Sequence, residues 1–276
     1  MATGPRFWNR VARRYERLRI SDVAAWEARL ERTREYFTPE SEVLEIGCGT
    51  GTAAVLHAPH VRRIRAVDFS QDMIAIARDK ARGAGVDNID FEIGSLEDLD
   101  AAPESFDVIL AMSILHLLDN RREAIARLFE LLRPGGVLVS STPCLRRTPA
   151  AGTILLLGRA LRILPAISFL NRGTLLAEFR AAGFGIEEEW LPGKGLALFA
   201  VARKPDRGSP RGSSRGRRPP CRAGPGHGLC HLRLASCAHP PYIAFNSGAS
   251  ASTPEAPPEI LTGRAPVFLC PKGPRR

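Results

Sequence analysis

Val43-Leu44-Glu45-Ile46-Gly47-Cys48-Gly49-Thr50-Gly51 restricts what this chain can fold into more than any other stretch. A short run suited to a buried strand passes directly into alternating glycines, and a helix-forming segment follows. Glycine lets the backbone turn sharply and come close to a ligand, and the first amides of the next helix lack intrahelical partners. Nineteen residues beyond Gly49, a second apolar run, Ile64-Arg65-Ala66-Val67-Asp68, ends in an acid. A carboxylate at that point can accept both hydrogen bonds of a ribose diol. The combination reads as a cradle for a nucleoside-bearing cofactor, against the plainer reading of a tight turn with a capping acid.

The segments around this turn alternate. Helical periodicity runs over Phe7 to Leu18 and Asp22 to Phe37 until Pro39 breaks it, so residues 1–40 read as a helical cap. Ser70 caps a helix reaching about Arg82, with Met73, Ile74 and Ala77 on one face. Ile89 to Ile93, Phe106 to Ala111 and Val137 to Ser140 read as strands. A helix from Asn120 to Leu132, stopped by Pro134-Gly135-Gly136, separates the last two. Residues 174–182 predict a helix closed by Gly183, and Glu187 to Leu191 with Leu196 to Ala202 an antiparallel pair joined through Pro192-Gly193 that ends the sheet. Such alternation predicts an α/β domain over residues 41–204, a doubly wound, seven-stranded and mostly parallel sheet with helices on both faces.

Net charge is +10, but eleven of the Lys and Arg residues lie beyond Lys204 against three acids there. The folded part is therefore nearly neutral and is not expected to bind nucleic acid. Residues 205–276 carry thirteen of the 22 prolines and cannot bury enough apolar surface to offset their ordering entropy, so this basic tail is predicted to be disordered. Its arginines at 211–218 lack interleaved aromatics, and Cys221, Cys230, His231, Cys237 and His239 lack a zinc spacing, so no metal site is expected. The Arg-rich first nineteen residues have no apolar run of signal-peptide length, and Cys48 and Cys144 read as reduced thiols; both point to the cytoplasm.

Glycines alone leave two enzyme classes open, because Gly49-x-Gly51-x-x-Ala54 also satisfies the dinucleotide fingerprint of a NAD(P)-dependent oxidoreductase. A third reading is a non-catalytic binding module attached to nucleic acid by the basic tail. Val43 to Gly51, with its acid two positions before the first glycine, resembles motif I of class I S-adenosylmethionine-dependent methyltransferases. Ala66-Val67-Asp68-Phe69-Ser70-Gln71-Asp72-Met73, Ser105 to Leu110 and Leu131 to Leu138 resemble the later motifs in order and spacing. The nearest likeness is to small-molecule enzymes similar to the quinone-biosynthesis C-methyltransferases.

That resemblance implies S-adenosyl-L-methionine as cofactor. By position it assigns the methionine part to Glu45, Gly47 and Gly49, with Cys48 and Gly51 in the same turn. The ribose falls to Asp68, and Phe69 and Met73 lie beside the adenine. Ser95, followed by Leu96, stands where many relatives carry an Asp for the adenine amino group, while Ala111 lies at the end of the fourth strand. Trp8 and Tyr15 on the cap are either aromatic lids or packing residues.

Methyl transfer mainly needs a nucleophile held in line with the sulfonium and water kept out, so a missing catalytic signature is expected. His116, just past the fourth strand, is a candidate base or orienting group, or a packed helix-start histidine. Residues 153–170 are strongly apolar, but Arg159, Arg162 and Pro165 interrupt them. They read as an amphipathic helix covering the pocket, with peripheral membrane contact, or as ordinary core helices. The first reading implies a small lipophilic acceptor such as a quinone or phospholipid.

Overall fold

The structure, a computed structural model, describes residues 4–18, 20–144, 165, 167–191 and 197–208. The chain divides into two units, 1–219 and 220–276, and the second lies wholly outside the described residues. The basic tail from 209 onward, almost all of the apolar stretch up to residue 166 and the Pro192-Gly193 connection also lie outside them.

Two helices open the fold, α1 (Pro5–Glu16) and α2 (Val23–Arg34). The alternating part follows as β1 (Glu42–Ile46), α3 (Thr52–His57), β2 (Arg63–Asp68), α4 (Gln71–Gly83), β3 (Ile89–Ile93), β4 (Phe106–Met112), α5 (Arg121–Leu131) and β5 (Leu132–Pro143). The described chain closes with α6 (Arg172–Ala181), β6 (Gly185–Trp190) and β7 (Ala197–Arg203). The seven strands are ordered β3-β2-β1-β4-β5-β7-β6. Strands β1 to β5 are parallel, and β7 is antiparallel to both β5 and β6.

Both faces of the central strands are covered, which is why β4 and β7 read as nearly unbroken apolar runs. Successive side chains point to opposite faces. Ile109, Leu138 and Ala200 therefore pack beside Ile125 and Leu128 of α5 and Phe179 of α6. Val108, Val139 and Phe199 pack on the other side with Ala54 of α3 and Ile74 and Ala77 of α4. Each fully buried Leu or Ile contributes about 2 kcal/mol of burial free energy.

Most sequence-predicted boundaries hold within a few residues. Ser70 Oγ accepts the Met73 amide at 3.3 Å, capping α4 as expected, and Asn171 caps α6 through the Thr174 amide at 2.8 Å. Strand β5 departs, beginning at Leu132 rather than Val137. Pro134-Gly135-Gly136 does not separate helix from strand. Leu132 pairs with Phe106 across a register shift, and the Gly135 amide donates to Lys204 O at 2.9 Å, so the start of the strand accommodates the proline and the positive φ of Gly135.

The cap is tied down by polar contacts. Arg32 of α2 and the Tyr36 hydroxyl both donate to the Glu188 carboxylate on β6. On α1, Asn9 Oδ1 accepts from Ser70 Oγ at 2.6 Å, and Glu16 pairs with Lys80 at 3.0 Å. A buried pair links α5 to α6: Arg121 Nε and Nη2 donate to the two Glu178 oxygens at 2.6 and 3.0 Å. Removing one partner of such a pair strands the other charge. Glu178→Ala is therefore expected to cost about 3 kcal/mol, seen as a lower urea midpoint at unchanged slope.

Candidate active site

The order β2-β1-β4 puts the chain's change of winding direction between β1 and β4, where ligands of open α/β sheets collect at the carboxyl ends. The glycine turn leaves β1 at that point. Gly47, Gly49 and Gly51 have φ of +63°, +54° and +71°, a region that side chains with a Cβ rarely enter. Space reinforces the requirement at two of them. A Cβ on Gly47 would lie 2.8 Å from the Ile114 side chain, and one on Gly51 would lie 2.7 Å from the Ala77 methyl. Gly49 differs, because its Cβ position meets only Tyr15 Cε1, at 4.0 Å. The chain thus packs tightly against its own core at the first and third glycines and stays open at the second.

Asp68 fixes this turn. Its Oδ2 accepts the Gly49 amide at 3.0 Å and its Oδ1 accepts the Ser70 amide at 2.8 Å. Each carboxylate oxygen keeps a lone pair for a further donor. Burial raises the Asp68 pKa while these two amides act against it. Glu45, at the end of β1, is 2% exposed, and its Oε2 has no hydrogen-bond partner among the described residues. Burial first, and then the charge of Asp68, push its carboxyl up to about 8.

The other sequence candidates surround this pair at different depths. Phe69 is half-buried beside Asp68, whereas Met73 is 2% exposed and faces the core from α4. Cys48 is buried, which raises its thiol pKa. Leu96 and Ala111 are buried in the apolar layer on the α5 side of the sheet. Ser95 Oγ donates to Asp98 Oδ2 at 2.7 Å. Trp8 packs edge-on against Tyr15, with ring centroids 6.3 Å apart, and the Tyr15 ring lies over the glycine turn. Burial raises the Tyr15 pKa, with Asp68 and Glu16 adding to it.

His116 follows β4 in a single turn of 3-10 helix, after Ser113 takes a positive φ of 56° and Ile114 fills the space beside Gly47. Its carbonyl accepts both the amide and the hydroxyl of Ser168, and that hydroxyl accepts from Arg121. Burial lowers the imidazole pKa to about 4, so the ring is neutral near pH 7. Its Nδ1 is unpartnered among the described residues, as are the hydroxyls of Ser140 and Thr142 on β5. Alternation along β5 puts those two hydroxyls on the face that holds Leu138, and Ser140 lies opposite Ala111 of β4.

Sequence reasoning missed Asn9, Lys80, Ser140 and Thr142. Lys80 donates to Thr52 Oγ1 at 2.5 Å and Thr50 Oγ1 at 3.4 Å, bracing the glycine turn from α4. Nothing local marks these residues, since each acts through a distant partner or through burial.

Comparison with known proteins bears on the same residues. Residues 43–136, from β1 into β5, match the family model described as methyltransferase domain. Residues 43–136 are a class I methyltransferase domain. Beyond it, the chain is 33% identical over 156 residues to a ubiquinone biosynthesis O-methyltransferase from Xanthomonas euvesicatoria pv. vesicatoria. That match covers 54% of the chain and 64% of the relative. The Bacillus subtilis YcgJ protein aligns with a TM-score of 0.56 at 18% identity, covering 65% of this chain and 99% of that one. The [4+2]-cyclase SpnF aligns at 0.55 and 22% identity, covering 64% and 80%. At those identities the two structures establish the fold of the methyltransferase domain, not its reaction.

The Glu45 carboxyl gives the domain a pH signature. With a folded pKa of about 8 against an ordinary 4.5, the folded state binds the extra proton between those values. Stability therefore falls as pH rises through that window. Melting of the ligand-free protein is expected to show this decline between pH 6.5 and 8, above the range in which the buried, neutral His57 and His116 act in the opposite direction, and Glu45→Gln to flatten it.

Proposed function

We propose that the protein is an S-adenosylmethionine-dependent methyltransferase acting in the cytoplasm on a small, lipophilic acceptor. The observation that carries this reading is the pairing of a clamped carboxylate with an orphaned one beside an open glycine. Asp68 is already held by two backbone amides and has lone pairs left for the ribose diol. Glu45 presents a buried oxygen without a partner among the described residues, suited to the ammonium of a methionine moiety. Gly49 leaves room for a ligand to approach the backbone. The donor set fits the cofactor, which would supply a methyl group already activated on a sulfonium.

In this reading Gly47, Cys48, Gly49 and Gly51 shape the cradle. Phe69 and Met73 flank the adenine, with Ser95, Leu96 and Ala111 lining its far side, and Trp8 and Tyr15 close over it and exclude water. His116, neutral near pH 7, takes a hydrogen bond from the acceptor and orients it instead of holding a full charge. The Ser140 and Thr142 hydroxyls lie on the β5 face toward the same end of the sheet, and support an acceptor whose reacting end is polar. The lipophilic remainder and a peripheral membrane contact rest on residues 153–170. The relative's role in ubiquinone biosynthesis agrees with such a molecule. Cytoplasmic location agrees with the free thiols Cys48 and Cys144.

Titration calorimetry is expected to show binding of S-adenosylmethionine and S-adenosylhomocysteine, and Asp68→Ala to weaken both by about 1–3 kcal/mol, roughly five- to 150-fold. Heat with NADH and none with either sulfur ligand would instead support an oxidoreductase. Incubation with a metabolite extract and methyl-labelled cofactor is expected to move label into organic solvent.

A further inference from the structure

We propose that the outer face of α1 is a docking surface for an anionic lipid bilayer. This goes beyond the methyl-transfer reading and does not depend on it. At 3.6 residues per turn, Arg6, Arg10, Arg13, Arg14 and the capping Arg17 fall within an arc of about 100° on one side of the helix. All five are exposed. Trp8, Ala12 and Tyr15 fall on the opposite side, and it is that side which meets the glycine turn and the start of α4. The arginine stripe therefore points away from the domain.

Glu16 is the one acid in α1, and it pairs with Lys80 on the inward side. Among the described residues no ion pair reaches Arg6, Arg13, Arg14 or Arg17. With the body of the fold nearly neutral, this is a local concentration of positive charge suited to a surface of many anionic groups.

Two occupants have that chemistry, nucleic acid and an acidic bilayer, and the neighbouring residues favour the bilayer. Leu18, Ile20 and Val23 follow directly and are 63%, 42% and 45% exposed. Aliphatic groups beside a row of arginines suit the headgroup and acyl boundary, where apolar burial adds to electrostatic attraction. Base recognition would need exposed rings. On α1 the Tyr15 ring, though 45% exposed, lies on the side of the glycine turn and away from the arginines, while Trp8 and Phe7 are half-buried and edge-on to each other at 5.3 Å. One helix thus has lipid-facing charge on its outer side and the glycine-turn contacts on its inner side.

Sedimentation of the full-length protein with vesicles of equal parts phosphatidylglycerol and phosphatidylcholine tests the proposal. Binding is expected to the mixed vesicles and not to pure phosphatidylcholine, and to weaken as salt is added. Replacing Arg6, Arg13, Arg14 and Arg17 by Gln in the full chain is expected to weaken binding by at least about tenfold. Replacing Arg211, Arg215, Arg217 and Arg218 by Gln isolates the tail and is expected to change it by less than about threefold. Circular dichroism and melting unchanged from the parent establish that the α1 variant is folded. Loss confined to the tail variant, equal binding to uncharged vesicles, or tighter binding to an RNA oligonucleotide that the α1 substitutions abolish, would each overturn the proposal.

Discussion

The hydrogen bonds from the Gly49 and Ser70 amides to Asp68 hold together the part of this molecule on which everything else depends. One carboxylate at the end of β2 stops the glycine turn after β1 and the entry to α4 from moving independently. Left-handed φ at three glycines is costly for any other residue, so the turn cannot relax into a commoner conformation without breaking that clamp. Ile114 and Ala77 close the space at Gly47 and Gly51 and leave Gly49 as the open point.

The rest of the fold presents groups to that point. Parallel strands covered on both faces bring the carboxyl ends of β1, β2, β4 and β5 to one edge, so residues from distant segments converge there. Arg121 illustrates how far this support extends. It holds Glu178 and Ser168, and Ser168 in turn holds the His116 carbonyl, fixing the chain just past β4 through a pair buried between α5 and α6. Helix α1 performs the comparable task from outside the sheet, tied to Ser70 and Lys80 at its two ends.

The layered sheet was legible because its signals are local. Apolar runs mark buried strands, Ser70 announces a helix start, and the motif from Val43 to Gly51 carries both its strand and its turn. The early start of β5 was not legible, because Pro134-Gly135-Gly136 reads as a break until its partners on β4 and β7 are known. The same holds for Asn9 with Ser70, Lys80 with Glu16, and Arg121 with Glu178, pairs separated by 61, 64 and 57 residues. Ser140 and Thr142 fail for a different reason. Inside an apolar strand they read as filler, and only burial without a partner makes them notable.

A structure of the protein with S-adenosylhomocysteine tests the central claim most directly. The account predicts ribose oxygens within hydrogen-bonding distance of the Asp68 carboxylate and the amino group of the ligand facing Glu45. A ligand seated elsewhere, or a cleft that excludes it at saturating concentration with Tyr15 still against Gly49, would contradict it.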